Sequence, residues 1–335
     1  MLIVVLGAAS SHAQWKLDPS LHALVVSGID LILEQEYHRA DSLFTVVTSR
    51  YPEHPAGYLY RAAVMQAYSM DFDVPIEEAK FDSLLINGKR AAEKLSMPWS
   101  EYFLGTADGY DAYERVERGD WFGGVRKGMS SASTFEEIIE KDSSFYDAYV
   151  GVGTYYYWRS RKLEFIRWLP FIKDDRERGI RLLILGAEYS EYNRFAAISA
   201  LISIYLDAER YEQAEEWSKR GLTYYHENRI FLWGLATSLD RNLRSAEAVA
   251  AYSNLLEKIV SSQAPHPYNE MVCRLNLVKS KIILNDTTTV VDHLKKLLSC
   301  EMCSFPVHLQ KRAEAKFIEA RALLLKFENQ RTKGK

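Results

Sequence analysis

Apolar residues recur along this chain at spacings of three and four, and windows with strict alternation of apolar and polar positions are hard to find. The pattern predicts helices almost throughout. A longer period is laid over it. Ile198, Leu201, Tyr205, Tyr211, Ala214 and Gly221 are followed 34 residues later by Leu232, Leu235, Leu239, Ser245, Ala248 and Leu255. Such a period is the mark of a stacked array, in which each unit buries its apolar stripe against the next. Ala214 and Ala248 are the informative members, because a small side chain there lets the second helix of a unit approach the first.

The same spacing appears near the start, in Gly28, Leu31, Tyr37, Ala40, Phe44 and Pro52. The proline ends the second helix, since it lacks the N–H that the next turn needs. Between these stretches helices are expected over about 55–70, 75–95, from Pro98, 121–140, 144–159 and 175–190. Residues 160–174 form an insertion between the last two. Beyond Pro265 and Pro267 three more are expected over about 268–285, 288–299 and 305–328, the last a polar cap carrying Lys311, Glu314, Lys316 and Glu319.

Residues 24–52 and 196–260 resemble the tetratricopeptide-repeat superfamily, with Glu36-Tyr-His-Arg-Ala-Asp-Ser-Leu-Phe44 as the most specific local match. A weaker similarity to the inclusion-clearance family of tetratricopeptide proteins lies in 145–190. It is carried by Gly151-Val-Gly153, Trp168-Leu-Pro-Phe-Ile172 and Asp175-Arg-Glu-Arg-Gly179. The resemblance implies an all-α, right-handed solenoid of about six to seven helix pairs, forming a single domain over 14–335. It further implies a concave wall lined by the first helix of each pair. Transferring the family's inward-facing positions puts Trp99, Tyr102, Tyr110, Tyr146, Tyr149, Tyr156 and Trp233 on that wall. Tyrosine and tryptophan combine an apolar body with a polar tip, which suits recognition as well as wedge packing between helices.

Composition narrows the function classes. The 335 residues carry a formal charge of −3 with 26% charged residues, and no basic surplus stands out, so nucleic acid is not an expected partner. No Gly-x-Ser-x-Gly elbow, His-Glu-x-x-His pair or phosphate-loop ending is present, and no catalytic set, metal or cofactor is expected. Trp121-Phe-Gly-Gly-Val-Arg-Lys-Gly128 reads as a close helix crossing or the turn before one. Cys300 and Cys303 lack the further ligands a zinc site needs, and read as a local disulfide or idle thiols.

Two further segments bear on function. Residues 1–13 begin with an uncharged apolar run and end Ser11-His12-Ala13, the small-residue pattern of a signal-peptidase site. A basic stretch before the run is missing, as it would be if translation began further upstream. The expectation is a periplasmic or secreted protein whose mature chain starts at Gln14. The insertion interleaves basic residues with aromatics, and Arg161, Lys162, Phe165, Trp168 and Phe171 are its candidate docking residues. The leading expectation is an exported scaffold, not an enzyme, that binds protein or peptide on an aromatic wall. The alternative is a periplasmic carrier of a small, lipid-like solute; peripheral membrane contact is compatible with the insertion but not the leading expectation.

Overall fold

A computed structural model describes residues 17–166, 173–262, 264, 267–301 and 305–333. Among them are fifteen α-helices and no strand. In chain order the helices are α1 (Pro19–Leu33), α2 (Tyr37–Arg50), α3 (Ala56–Phe72), α4 (Glu78–Ala92) and α5 (Trp99–Glu117). Then follow α6 (Trp121–Lys141), α7 (Asp147–Lys162), α8 (Arg176–Tyr189), α9 (Arg194–Asp207) and α10 (Tyr211–Tyr224). The series ends with α11 (Arg229–Arg241), α12 (Ser245–Val260), α13 (Pro267–Ile283), α14 (Val290–Leu298) and α15 (Val307–Lys333). Helix α4 is shorter than the 75–95 expected, since residues 74–77 stay outside it. The other boundaries fall within a few residues of the sequence reading, as helix ends do.

The turns reveal the repeat more clearly than the side chains do. A residue with positive φ follows the first helix of α1/α2 (Gln35, 63°), α3/α4 (Asp73, 49°), α9/α10 (Glu209, 57°), α11/α12 (Leu243, 59°) and α13/α14 (Asn285, 56°, with a second, Thr289, just before α14). In α5/α6 the place is taken by Gly119 at 86°. After the turn the next N–H reaches back five residues, as from Glu36 to Leu31, Arg210 to Tyr205, Arg244 to Leu239 and Asp286 to Lys281. This is the Schellman closure, which satisfies carbonyls left open at a helix end.

The seams are made of small residues, as the spacing predicted. A Cβ on Gly28 would strike the Phe44 ring, and one on Gly88 would strike the Leu59 side chain. Where α7 crosses α8, a Cβ on Gly153 would lie 2.7 Å from the Gly179 carbonyl oxygen, and one on Gly179 2.6 Å from that of Gly153. Backbone meets backbone there, and no larger residue fits. Ala40, Ala214 and Ala248 are fully buried.

The helices group into two compact units. The first holds the described residues up to Ile29, then Arg39–Ala63 and Ala79–Ala197. Aromatic rings dominate its interior, with Phe44 stacked on Tyr60 at 5.0 Å and Trp99 packed against Phe103 and Phe145. The second unit holds Asp30–His38, Val64–Glu78 and Ile198–Lys335. Leu232, Leu239, Ala248, Tyr252 and Leu255 form one of its clusters. Leu275, Leu294, Phe305, Leu309 and Phe317 form another under α15.

Candidate functional site

The seven residues expected on a recognition wall divide into two groups. Tyr102, Tyr149 and Tyr156 are buried side chains of the first unit. Placing them on an open wall is therefore corrected by the packing around them. Trp99, Tyr110, Tyr146 and Trp233 are partly exposed.

The cause of the Tyr102 burial is the turn between α8 and α9. Asp147, in the first turn of α7, accepts hydrogen bonds from the backbone N–H groups of Glu191, Tyr192 and Asn193 at 3.1, 2.9 and 2.8 Å. The Asn193 amide donates in turn to the Tyr102 hydroxyl at 2.9 Å and to the Asp147 carbonyl at 3.1 Å. So anchored, the turn lays Tyr192 against Trp99, 6.1 Å between ring centres. The Tyr192 hydroxyl accepts the Leu17 N–H at 3.0 Å and lies 2.8 Å from His22 Nδ1. Around Tyr102 the expected wall is thus closed by the protein's own residues.

The enclosure alters proton affinities. Burial pushes the Asp147 carboxyl up to about 6, against three backbone N–H groups that favour its ionised form. Burial raises the Tyr102 hydroxyl well above its ordinary value and holds His54, which packs edge-on against Phe103, down to about 4. Tyr156 is held from two sides. Its hydroxyl donates to Glu136, and the Arg178 guanidinium lies 4.5 Å from its ring centre.

Tyr146 retains an accessible edge. It packs against Tyr149 at 5.4 Å and Tyr189 at 4.9 Å, and Tyr189 is half exposed. The Tyr149 hydroxyl is occupied, donating to the Ser143 carbonyl at 2.8 Å. In the second unit Trp233 lies edge-on to Tyr252 at 6.4 Å, with part of its indole in solvent.

Of the insertion residues, Trp168 and Phe171 lie outside the described residues. Arg161 pairs with Glu164 at 2.7 Å, Lys162 sits 5.4 Å from the centre of the Trp121 ring, and Phe165 is exposed. The contact with Trp121 brings the insertion to the start of α6, a neighbour that spacing alone does not reveal. Helix α6 opens on Asp120, whose carboxylate accepts the Gly123 N–H at 2.9 Å. Gly124 lies so close to α5 that a Cβ would fall 3.0 Å from the Ala112 carbonyl oxygen. The close-crossing reading of that glycine run is what the helices show.

Sequence reasoning missed two arrangements. The first is a cleft of about 310 Å³ between α4 and α5, lined by Asp82, Lys89, Asp111, Arg115, Arg118 and Asp120. Arg115 is bonded there to both Asp111 and Asp120 at 2.8 Å, while Lys89 pairs with Asp108 outside the lining. The second is a buried polar latch in the second unit. There Asp71 takes the Arg229 guanidinium and accepts from the Tyr37 hydroxyl at 2.9 Å, while Asn269 donates to the Asp71 carbonyl at 2.9 Å. Its members are up to 198 residues apart in the chain, beyond the reach of any local pattern.

No protein-family model and no curated protein sequence matches this chain. Solved structures similar to it include the C-terminal part of a TPR repeat-containing protein from Cytophaga hutchinsonii. That match has a TM-score of 0.39 at 14% identity, over 82% of this chain and 94% of the other. Acl4, an assembly chaperone of RpL4, gives 0.41 at 14% identity, over 83% and 99%. Yeast Tom70 gives 0.39 at 12% identity, over 93% and 66%. By its six left-handed helix-to-helix turns and its small-residue seams, the chain is an all-α protein of repeated helix pairs.

Proposed function

We propose that this protein is an exported scaffold that binds protein or peptide partners through partly exposed aromatic residues on the first helices of its pairs. The supporting observation is the division of those aromatics. Tyr102 and Tyr156 are consumed by the interior, whereas Tyr146 beside Tyr189, and Trp233, keep part of their rings in solvent. Aromatic rings that are rigid, half-anchored and tipped with a polar atom cost little entropy when a partner covers them, which is why they concentrate binding energy. The carrier alternative asks for an apolar chamber, and the α4/α5 cleft, with Leu85 and Ile86 beside six charged residues, does not supply one.

Export rests on residues 1–13. Mass measurement of the protein recovered from an envelope fraction is expected to give a chain starting at Gln14; recovery of the uncut chain from the cytosol would refute it. Partner binding is tested by affinity capture from the same fraction, comparing wild type with Tyr146→Ala and Trp233→Ala after matching their thermal unfolding. Each variant is expected to lose partner recovery. Equal recovery by all three forms would remove these rings from the proposal.

A further inference from the structure

The N-terminal half of α6 presents a large apolar face that nothing among the described residues covers. Trp121, Phe122, Val125 and Met129 are 52, 93, 55 and 55% exposed. At about 100° per residue they fall within a single arc of about 100°. The end of α7 extends this face, because Lys162 lies over the Trp121 ring and Phe165, three residues on, is 77% exposed. Two segments far apart in sequence thus bring three protruding aromatics to one edge of the first unit.

The charge around this edge is weighted towards cations, with four basic residues against two acidic ones over 115–129. Asp120 is taken by Arg115 and the Gly123 N–H, Asp108 by Lys89, Lys127 and Ser130, and Glu164 by Arg161 and Arg176. On α6's N-terminal half and at the end of α7 the outward cations are Arg126 and Lys162, both exposed. With these acids paired, the exposed Arg126 and Lys162 leave a rim that attracts anions.

We propose that this edge docks on an anionic lipid surface, with Phe122, Phe165 and Trp121 entering the boundary between headgroups and acyl chains, and Arg126 and Lys162 meeting the headgroups. A bilayer suits the geometry better than a protein partner. Phe122 and Phe165 stand almost fully in solvent, at 93 and 77% exposure; a protein would need a matching pocket for each, whereas the lipid boundary yields to any shape. Apolar burial combined with attraction to anionic headgroups is the usual basis of interfacial binding. Long cationic side chains reach the headgroups while their stems stay apolar. This inference is independent of the partner-binding proposal, which concerns Tyr146 and Trp233, so either can fail alone.

The test is co-sedimentation of the full chain with vesicles of phosphatidylcholine alone, and of equal parts phosphatidylcholine and phosphatidylglycerol. Wild type is expected to sediment with the mixed vesicles and only weakly with the neutral ones. Phe122→Ser and Phe165→Ser should each weaken binding about tenfold, from the apolar area withheld from lipid. The double variant Arg126→Glu, Lys162→Glu should lose the preference for anionic lipid. All four positions are exposed, so unchanged thermal unfolding is expected and is checked for each variant. Absence of wild-type binding to mixed vesicles would overturn the proposal, and so would binding that both serine variants retain in full. Concentration-dependent dimerisation in light scattering, abolished by Phe122→Ser without any vesicle binding, would reassign the face to a contact between copies of this chain and equally overturn it.

Discussion

Replacing Asp71 by alanine isolates the buried latch of the second unit. The Asp71 and Arg229 side chains are 4 and 12% exposed, so neither charge has water to fall back on. Removing the carboxylate leaves a buried guanidinium without its counter-ion, a change that costs about 3–5 kcal/mol in comparable pairs. The Tyr37 hydroxyl loses its acceptor as well, about 1 kcal/mol more. A loss of about 4–6 kcal/mol is a large share of the roughly 5–15 kcal/mol that holds a typical domain together. Because the cost comes from the stranded charge, Arg229→Met in the Asp71→Ala background should restore most of the stability; methionine can follow the guanidinium's path beside the Phe72 ring. Urea denaturation followed by circular dichroism, on the wild type, both single variants and the double, gives the coupling directly. A loss below about 1 kcal/mol for Asp71→Ala would refute the reasoning. So would a double variant as unstable as the sum of its parts.

Two further outcomes follow from the geometry. Leu243 adopts φ 59° at an exposed turn, so Leu243→Gly removes backbone strain and an exposed side chain together; thermal unfolding should show a gain of up to about 1 kcal/mol, and a loss would count against the turn assignment. The first unit holds two groups with opposite pH linkage. Asp147 titrates higher folded than unfolded, about 6 against 3.8, so its contribution is full below pH 4 and is lost as pH rises through 6. His54 titrates lower folded than unfolded, about 4 against 6.5, so its contribution is full above pH 6.5 and is lost as pH falls through 4. Each amounts to about 3 kcal/mol, and in the wild type they largely cancel between pH 4 and 6. Urea denaturation across that range should show stability rising with pH in Asp147→Asn and falling with pH in His54→Gln. Identical slopes in both variants would contradict this account.

How much of this was legible in the chain depends on the range over which each feature is decided. Gly28 against Phe44, or Ala214 and Ala248 at their seams, could be read because a helix and its partner lie within 34 residues, and small side chains at that spacing have few other uses. Helix ends were readable for the same reason, although Gln35, Glu209 and Leu243 do not advertise the left-handed turns they make; a Schellman closure imposes that conformation on whatever residue occupies the place. Tyr102 and Tyr146 show where local reading stops. Tyr102 lies on α5 and Tyr146 caps the start of α7, and spacing assigns both to the same wall. Asp147 gathers three backbone N–H groups from a turn some 45 residues away, and that turn covers one ring and leaves the other accessible. The exposed face of α6 was likewise present as Trp121, Phe122, Val125 and Met129, but the same stripe would equally suit a buried helix. The sequence by itself determined the pairs, their seams and the all-α class, because these follow from periodicity within a unit. Which aromatics meet solvent, and how Asp71 finds Arg229, only the tertiary structure decided, because burial belongs to neighbours that the chain brings in from far away.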